Sequence, residues 1–210
     1  MLTDEQIDRY SRQIILPEVG GRGQERLLAA RMTLLAEVED LAPALNYLAG
    51  AGIGTIRLDC AGCSGAIDRL AAQAMELNPD VRVEVSHHEA SDDETVMFLA
   101  GTERIIQAAR RMNQNFAQRT VIFARLAEPY LVALLSGRQR CLVCAHRGLL
   151  APLGKRGPFA APLAMVAAAE TIKCLLAVAP QPSRLIEFSG YESRSQELTA
   201  ARRAPCPVCG

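Results

Sequence analysis

The chain has 210 residues, half of them apolar, with 23 basic residues against 23 acidic ones. That length supports one substantial core, and the balanced charge gives no bulk electrostatic reason to expect nucleic acid or an anionic membrane as partner. No apolar run is long enough to span a membrane, and the opening MLTDEQIDRY is acidic and polar where a secretory leader would be basic and then apolar, so a soluble cytoplasmic protein is expected.

In chain order, Thr3 and Gln6 form a capping box with Asp4 and Glu5 in the first turn, which opens a helix through EQIDRYSRQI. EVGGRG then reads as a glycine-rich link to a short helix QERLLAA. The strand RMTLLA, 31–36, leads to a helix from Asp40 to about Ala51. Gly50, Gly52 and Gly54 follow that helix, where a C-cap is the expected role. GTIRLDC is a strand, AIDRLAAQAMELN a helix stopped by Pro79, and VRVEVS alternates as a strand does. DDETVMFLAG reads as a helix. Between Glu103 and Arg119 periodicity fits either a strand plus a helix or one longer helix. TVIFARL and YLVALLS read as strands, Pro158 to about Val178 as an alanine-rich helix, and SRLIEFS and SRSQELT as paired strands.

Strands alternating with helices predict an α/β fold: a Rossmann-like, mostly parallel sheet with helices on both faces, followed by a C-terminal antiparallel portion. The chain then divides into N-terminal helices at 1–30, a Rossmann-like core at 31–140 and a C-terminal portion at 141–210, all within one domain. A ligand crevice is expected at the carboxyl ends of the strands.

Six of the seven cysteines fall into three Cys-x-x-Cys pairs. Cys141 with Cys144 and Cys206 with Cys209 can supply four thiolates to one tetrahedral structural zinc, which would tie the C-terminus back to mid-chain. The bland alternative is a set of small buried hydrophobes, and Cys174, alone in the apolar AMVAAAETIKCLL, suits it better. Cys60 and Cys63, in CAGCSG, are read as turn residues in preference to a redox pair or an incomplete metal site.

RYSRQIILPEVGGRGQERLLAARMTLL strongly resembles the N-terminus of the ThiF/MoeB/HesA group, the bacterial relatives of ubiquitin-activating enzymes. The likeness resumes in YLAGAGIGTIRLDC, LNPDVRVEV, the CLVC turn, AMVAAAETIKCLL and the terminal CPVCG. It implies a homodimer that binds ATP and magnesium and adenylates the C-terminal glycine of a ubiquitin-like sulfur carrier. It also implies that Asp59, ending the second strand, is the ribose-binding acid, and that Arg12 reaches across the dimer toward the partner's ATP. The bland alternatives are a strand-end acid for Asp59 and a dimer salt bridge for Arg12.

The chain departs from the family at its phosphate turn. Where the family carries a Gly-x-Gly-Gly-x-Gly loop whose bare amides approach phosphate, this chain has AEVEDLAP, with Glu37, Glu39 and Asp40. The first lysine is Lys155 and no aspartate follows Asp93, so the family's phosphate lysine and magnesium aspartate have no counterpart at the expected places. CAGCSG replaces a longer stretch that carries a phosphate-binding arginine, and the loop after the first cysteine pair, AHRGLLAPLGKRG, has no transfer cysteine. ATP and magnesium are therefore doubtful cofactors on sequence grounds.

The expectation from these losses is a non-catalytic, zinc-stabilised dimeric scaffold, homodimeric or paired with a family paralogue, able to bind a sulfur-carrier-like protein. The alternative is an ATP-dependent adenylyltransferase that activates the C-terminus of a ubiquitin-like sulfur carrier, with nucleotide held differently or supplied by an intact paralogue in a heterodimer. Redox or metal delivery through CAGC is a third possibility. His87, His88 and His146 are assigned to surface or packing roles, and His146, two residues after Cys144, is in sequence reach of the zinc ligands without being one of them.

Overall fold

A computed structural model describes residues 1–59, 65–85, 95–112, 120–135, 152–176, 183–188 and 192–197. Helix α1 (Asp4–Ile14) carries the expected capping box: the Thr3 hydroxyl accepts from the Gln6 N–H at 3.2 Å and the Gln6 side chain accepts from the Thr3 N–H at 3.1 Å. Helix α2 (Gly20–Ala29) takes in most of the glycine stretch read from sequence as a link. Gly23, Gln24 and Leu27 make one buried stripe, and burial overrides the poor helix propensity of glycine.

Strand β1 (Arg31–Ala36), helix α3 (Val38–Gly50), strand β2 (Thr55–Asp59), helix α4 (Ala66–Leu77) and strand β3 (Arg82–Val85) follow as the periodicity predicts. Residues 95–100, read from sequence as part of a helix, are instead strand β4 (Thr95–Ala100). The reason is its position in the sheet. It pairs with β1 on one side, every residue is buried, and a strand covered on both faces loses the alternation that marks a half-exposed one. Helix α5 (Glu103–Met112), strands β5 (Val121–Arg125) and β6 (Tyr130–Leu135), helix α6 (Ala160–Leu176) and strands β7 (Arg184–Phe188) and β8 (Ser193–Glu197) complete the described elements.

The eight strands form one sheet in the order β3-β2-β1-β4-β5-β6-β7-β8. Pairings from β3 through β5 are parallel, and those from β5 to β8 are antiparallel. This is the expected mixed architecture. Alternate residues of each inner strand feed two cores. Met32, Leu34, Ile56, Met97 and Ile122 pack with residues of α3, α4 and α6, including Leu45, Leu48 and Ala167. On the other face Leu35, Val96, Phe98, Val121 and Phe123 meet Ile105 and Ile106 of α5. Completely burying a leucine such as Leu45 contributes roughly 2 kcal/mol. Among the described residues no helix is long and apolar enough to cross a membrane.

At the amino ends of the strands, Tyr10 anchors α1. Its hydroxyl accepts from the Asn78 side chain at 2.9 Å and donates to Asp80 at 3.0 Å, while Asn78 also donates to the Ala49 carbonyl at 2.7 Å. Burial raises the Tyr10 phenol to about 12. Burial alone would raise the Asp80 carboxyl too, but hydrogen bonds from Gln6, Tyr10 and Arg9 outweigh it and hold the group below its usual value.

Candidate functional site

The strand order turns back on itself between β1 and β4, because α3 leads from β1 to β2 on one side while β4 lies on the other. In an open sheet this opens a crevice at the carboxyl ends of the two strands. Residues 37–40 follow β1 there, and Gly101 to Arg104 follow β4.

Glu37 is the N-cap of α3 in extended conformation, with no side-chain bond to the helix's own N–H groups. Its carboxylate instead accepts from the Thr102 hydroxyl at 2.8 Å and stands 3.9 Å from the Arg104 guanidinium. Glu39 and Asp40 occupy the first turn of α3, where negative charge complements the helix dipole. The Asp40 side chain is only 1% exposed, and its Oδ1 accepts from Arg156. Its Oδ2 is buried with no hydrogen-bond partner among the described residues. Burial raises the Asp40 carboxyl to about 6, against the opposing pull of Arg156, with Glu39 and Glu37 adding to the rise. Gly101 is required by this packing, because a Cβ at that position would run into the Asp40 carboxylate. The turn that is a bare glycine loop in the family is here occupied by side chains.

Arg156 reaches Asp40 on a short backbone strap. Residues 154–156 lie against 127–128: the Glu128 N–H donates to the Lys155 carbonyl at 3.1 Å, the Gly154 N–H donates to the Glu128 carbonyl at 2.8 Å, and Ala127 bridges Arg156. The buried Arg125, at the end of β5, fixes the strap by donating to the carbonyls of Glu128 at 2.9 Å and Pro152 at 2.5 Å. Beside the strap lies a cavity of about 520 Å³, lined by Glu128, Tyr130, Pro152, Leu153, Phe159 and Phe188 among others. Tyr130 and Phe159 meet there edge to face at 5.7 Å.

Asp59 ends β2 half-buried at the crevice end of the sheet, in register with Leu35. Arg12 is exposed on α1, the helix that Tyr10 anchors at the opposite, amino end. Within one chain the fold thus does not gather Arg12 and Asp59. Cys60, Cys63, Cys141, Cys144, Cys206, Cys209, His87, His88 and His146 lie outside the described residues. Among the described residues no group of side chains could hold a metal ion. Cys174 packs partly buried against the core, and burial raises its thiol to about 12, in keeping with a structural role. Sequence reasoning missed Thr102, Arg104, Arg125 and Arg156 as crevice residues. The GTER segment at 101–104 carried the signal for two of them, but β4 had been read as a helix, which hid the strand end that presents them.

The chain is 27% identical to the sulfur carrier protein adenylyltransferase of Thermus thermophilus over 99% of its length and 92% of the relative's. It is also 27% identical to the sulfur carrier protein ThiS adenylyltransferase of Escherichia coli, over 100% of its length and 97% of the relative's. A crystal structure of E. coli MccB with ATP shares the fold, with a TM-score of 0.69 and 17% identity over 97% of this chain and 74% of that one. No family model matches the chain.

Proposed function

Because the chain belongs to the ThiF/MoeB/HesA group, we propose that it serves the ATP-dependent adenylation of the C-terminus of a ubiquitin-like sulfur carrier. It would act as one subunit of a homodimer or of a heterodimer with a family paralogue. The observation that carries this proposal is the near end-to-end match to two sulfur-carrier adenylyltransferases, which covers 92% and 97% of their lengths. That match favours the adenylating alternative over the non-catalytic scaffold that the acidic turn alone suggests. The relatives give no support for doubting ATP as cofactor, and a fold neighbour has been solved with it.

In adenylation a carrier carboxylate oxygen bonds to the α-phosphorus and pyrophosphate leaves, so the protein's share is orientation and charge neutralisation. The crevice at the ends of β1 and β4 is the place offered for nucleotide. Asp59, at the same end of the sheet, would accept from ribose hydroxyls. Arg12, exposed and at the far end of its own chain, would serve a partner subunit's crevice. The direct assay is carrier-dependent exchange of labelled pyrophosphate into ATP, run with the chain alone and with a family paralogue. Exchange that needs both carrier and this chain is the expected result, and no exchange in either mixture would sink the proposal.

One observation favours a second function, the non-catalytic scaffold. The carboxylate of Asp40 stands buried at the turn, and like charge repels a triphosphate. Capture of the carrier by this chain without any exchange would select that function. We propose further that Cys141, Cys144, Cys206 and Cys209 hold one structural zinc, on the strength of their donor set: four thiolates from two Cys-x-x-Cys turns suit a closed tetrahedral ion. Metal analysis should find about one zinc per chain, and because binding energy is folding energy at such a site, chelation should lower the melting temperature. Metal-free, equally stable protein would rule the site out.

A further inference from the structure

We propose that Arg104 and Arg156 form a two-arginine clamp for the polyphosphate of the nucleotide, each held in position by an acid of the turn that first reads as repulsive. This rests on the ATP-dependent function proposed above and assigns the residues that would make it possible. The family's turn meets phosphate with backbone amides, and here side chains fill that approach. Positive charge must then come from elsewhere, and the fold brings it from two separate elements.

Arg104 arrives from the first turn of α5 and is tethered 3.9 Å from Glu37. Arg156 arrives on the strap and is tethered to Asp40 across a sequence separation of 116 residues. The anchors are largely withdrawn from water, with the Glu37 side chain 18% and that of Asp40 1% exposed. The arginines are not, at 44% and 43%. A guanidinium carries five N–H donors in a planar fork, and one carboxylate can occupy only part of it, so each tethered arginine keeps donors for an anion. Holding the stem in one orientation beforehand lowers the entropy cost of gripping phosphate.

Local charge is partly balanced. Among the described residues the acids around the crevice are Glu37, Glu39, Asp40, Asp59, Glu103 and Glu128, and the cations brought beside them are Arg104, Arg125, Lys155 and Arg156. Glu103 lies in the field of Arg125 and Asp40 in that of Arg156, so the negative field that AEVEDLAP suggests in isolation is partly offset in the folded chain. Asp40 and Glu37 act here as positioning residues, with the arginines as the groups that touch the ligand.

The probe is inorganic tripolyphosphate, titrated calorimetrically at low salt into the full chain and into Arg156→Ala, Arg104→Ala and Arg156→Lys. Removing either arginine is expected to weaken binding by roughly tenfold or more, the loss typical of a hydrogen bond to a charged group, while Arg156→Lys retains part of the affinity. Should Arg156→Ala unfold because Asp40 is left unpaired, the double variant Asp40→Asn/Arg156→Ala and the exposed Arg104→Ala carry the test. Wild-type protein that ignores tripolyphosphate, or alanine variants that bind it equally well, would overturn the clamp. Tighter binding by Arg156→Ala would also overturn it, since Arg156 would then be a plug. Tripolyphosphate binding that both variants lose, with no carrier-dependent exchange, leaves the clamp standing and removes the adenylation function. Exchange that survives in both variants does the reverse.

Discussion

The two ends of the sheet treat acid withdrawn from water in opposite ways. At the amino ends Asp80 receives hydrogen bonds from Gln6 and Tyr10 and an ion pair from Arg9, and its carboxyl is held low. At the carboxyl ends Asp40 is more deeply buried, has one oxygen without a partner among the described residues, and is held high. A group that the fold satisfies completely contributes to stability. One left partly unsatisfied costs stability and is kept where a ligand or a switch makes use of it. The amino end is thus the better satisfied of the two, and the carboxyl end is where the proposed function places its chemistry.

A harsh way to break the amino end is Gly52→Ala. Gly52 sits at φ +84 just past α3, and a Cβ there would stand 2.7 Å from the Tyr10 ring and 2.8 Å from the Gln24 amide. Left-handed strain and overpacking together should cost about 3–4 kcal/mol, read as a fall in the denaturant midpoint. Asn78→Ala should cost about 2–3 kcal/mol, because the Tyr10 hydroxyl and the Ala49 carbonyl lose a buried partner; a midpoint unchanged from wild type would mean water replaces the amide.

Asp40→Asn sharpens the contrast through pH. Because the folded Asp40 carboxyl lies near 6 and its ordinary value is 3.8, the native state holds a proton between those values that the unfolded chain has released. Stability from this group therefore rises as pH falls from 7 toward 4, and it is lost as pH climbs through about 6. Denaturation curves at pH 5 and pH 7 should show that gain in wild type relative to Asp40→Asn. Asp80, with its lowered value, carries the opposite sign: its contribution is present above 3.8 and fades in more acid solution. The mildest change is Thr102→Val, which removes one part-buried hydrogen bond to Glu37 and should cost about 1 kcal/mol by thermal melting.

Much of the sheet was legible beforehand because its strands obey simple signals. RMTLLA and TIRLD stand next to helices with clear periodicity, and SRLIEFS and SRSQELT pair as expected. TVMFLA was misread because burial on both faces erases the period of two, and the glycines of α2 because propensity yields to packing. Asp59 was singled out by the family resemblance and not by a local signature, and it does end β2 at the crevice end of the sheet. The Asp40–Arg156 pair has none: no pattern within a window of the sequence can announce a contact between residues 116 positions apart.

That separation also sets an order in time. A ribosome delivers β1 through β5 well before residue 156 emerges, and amino-terminal structure generally forms first during synthesis. The growing chain therefore has every strand of its parallel sheet while Asp40 still lacks its arginine, and the pair across the crevice forms only when the strap arrives.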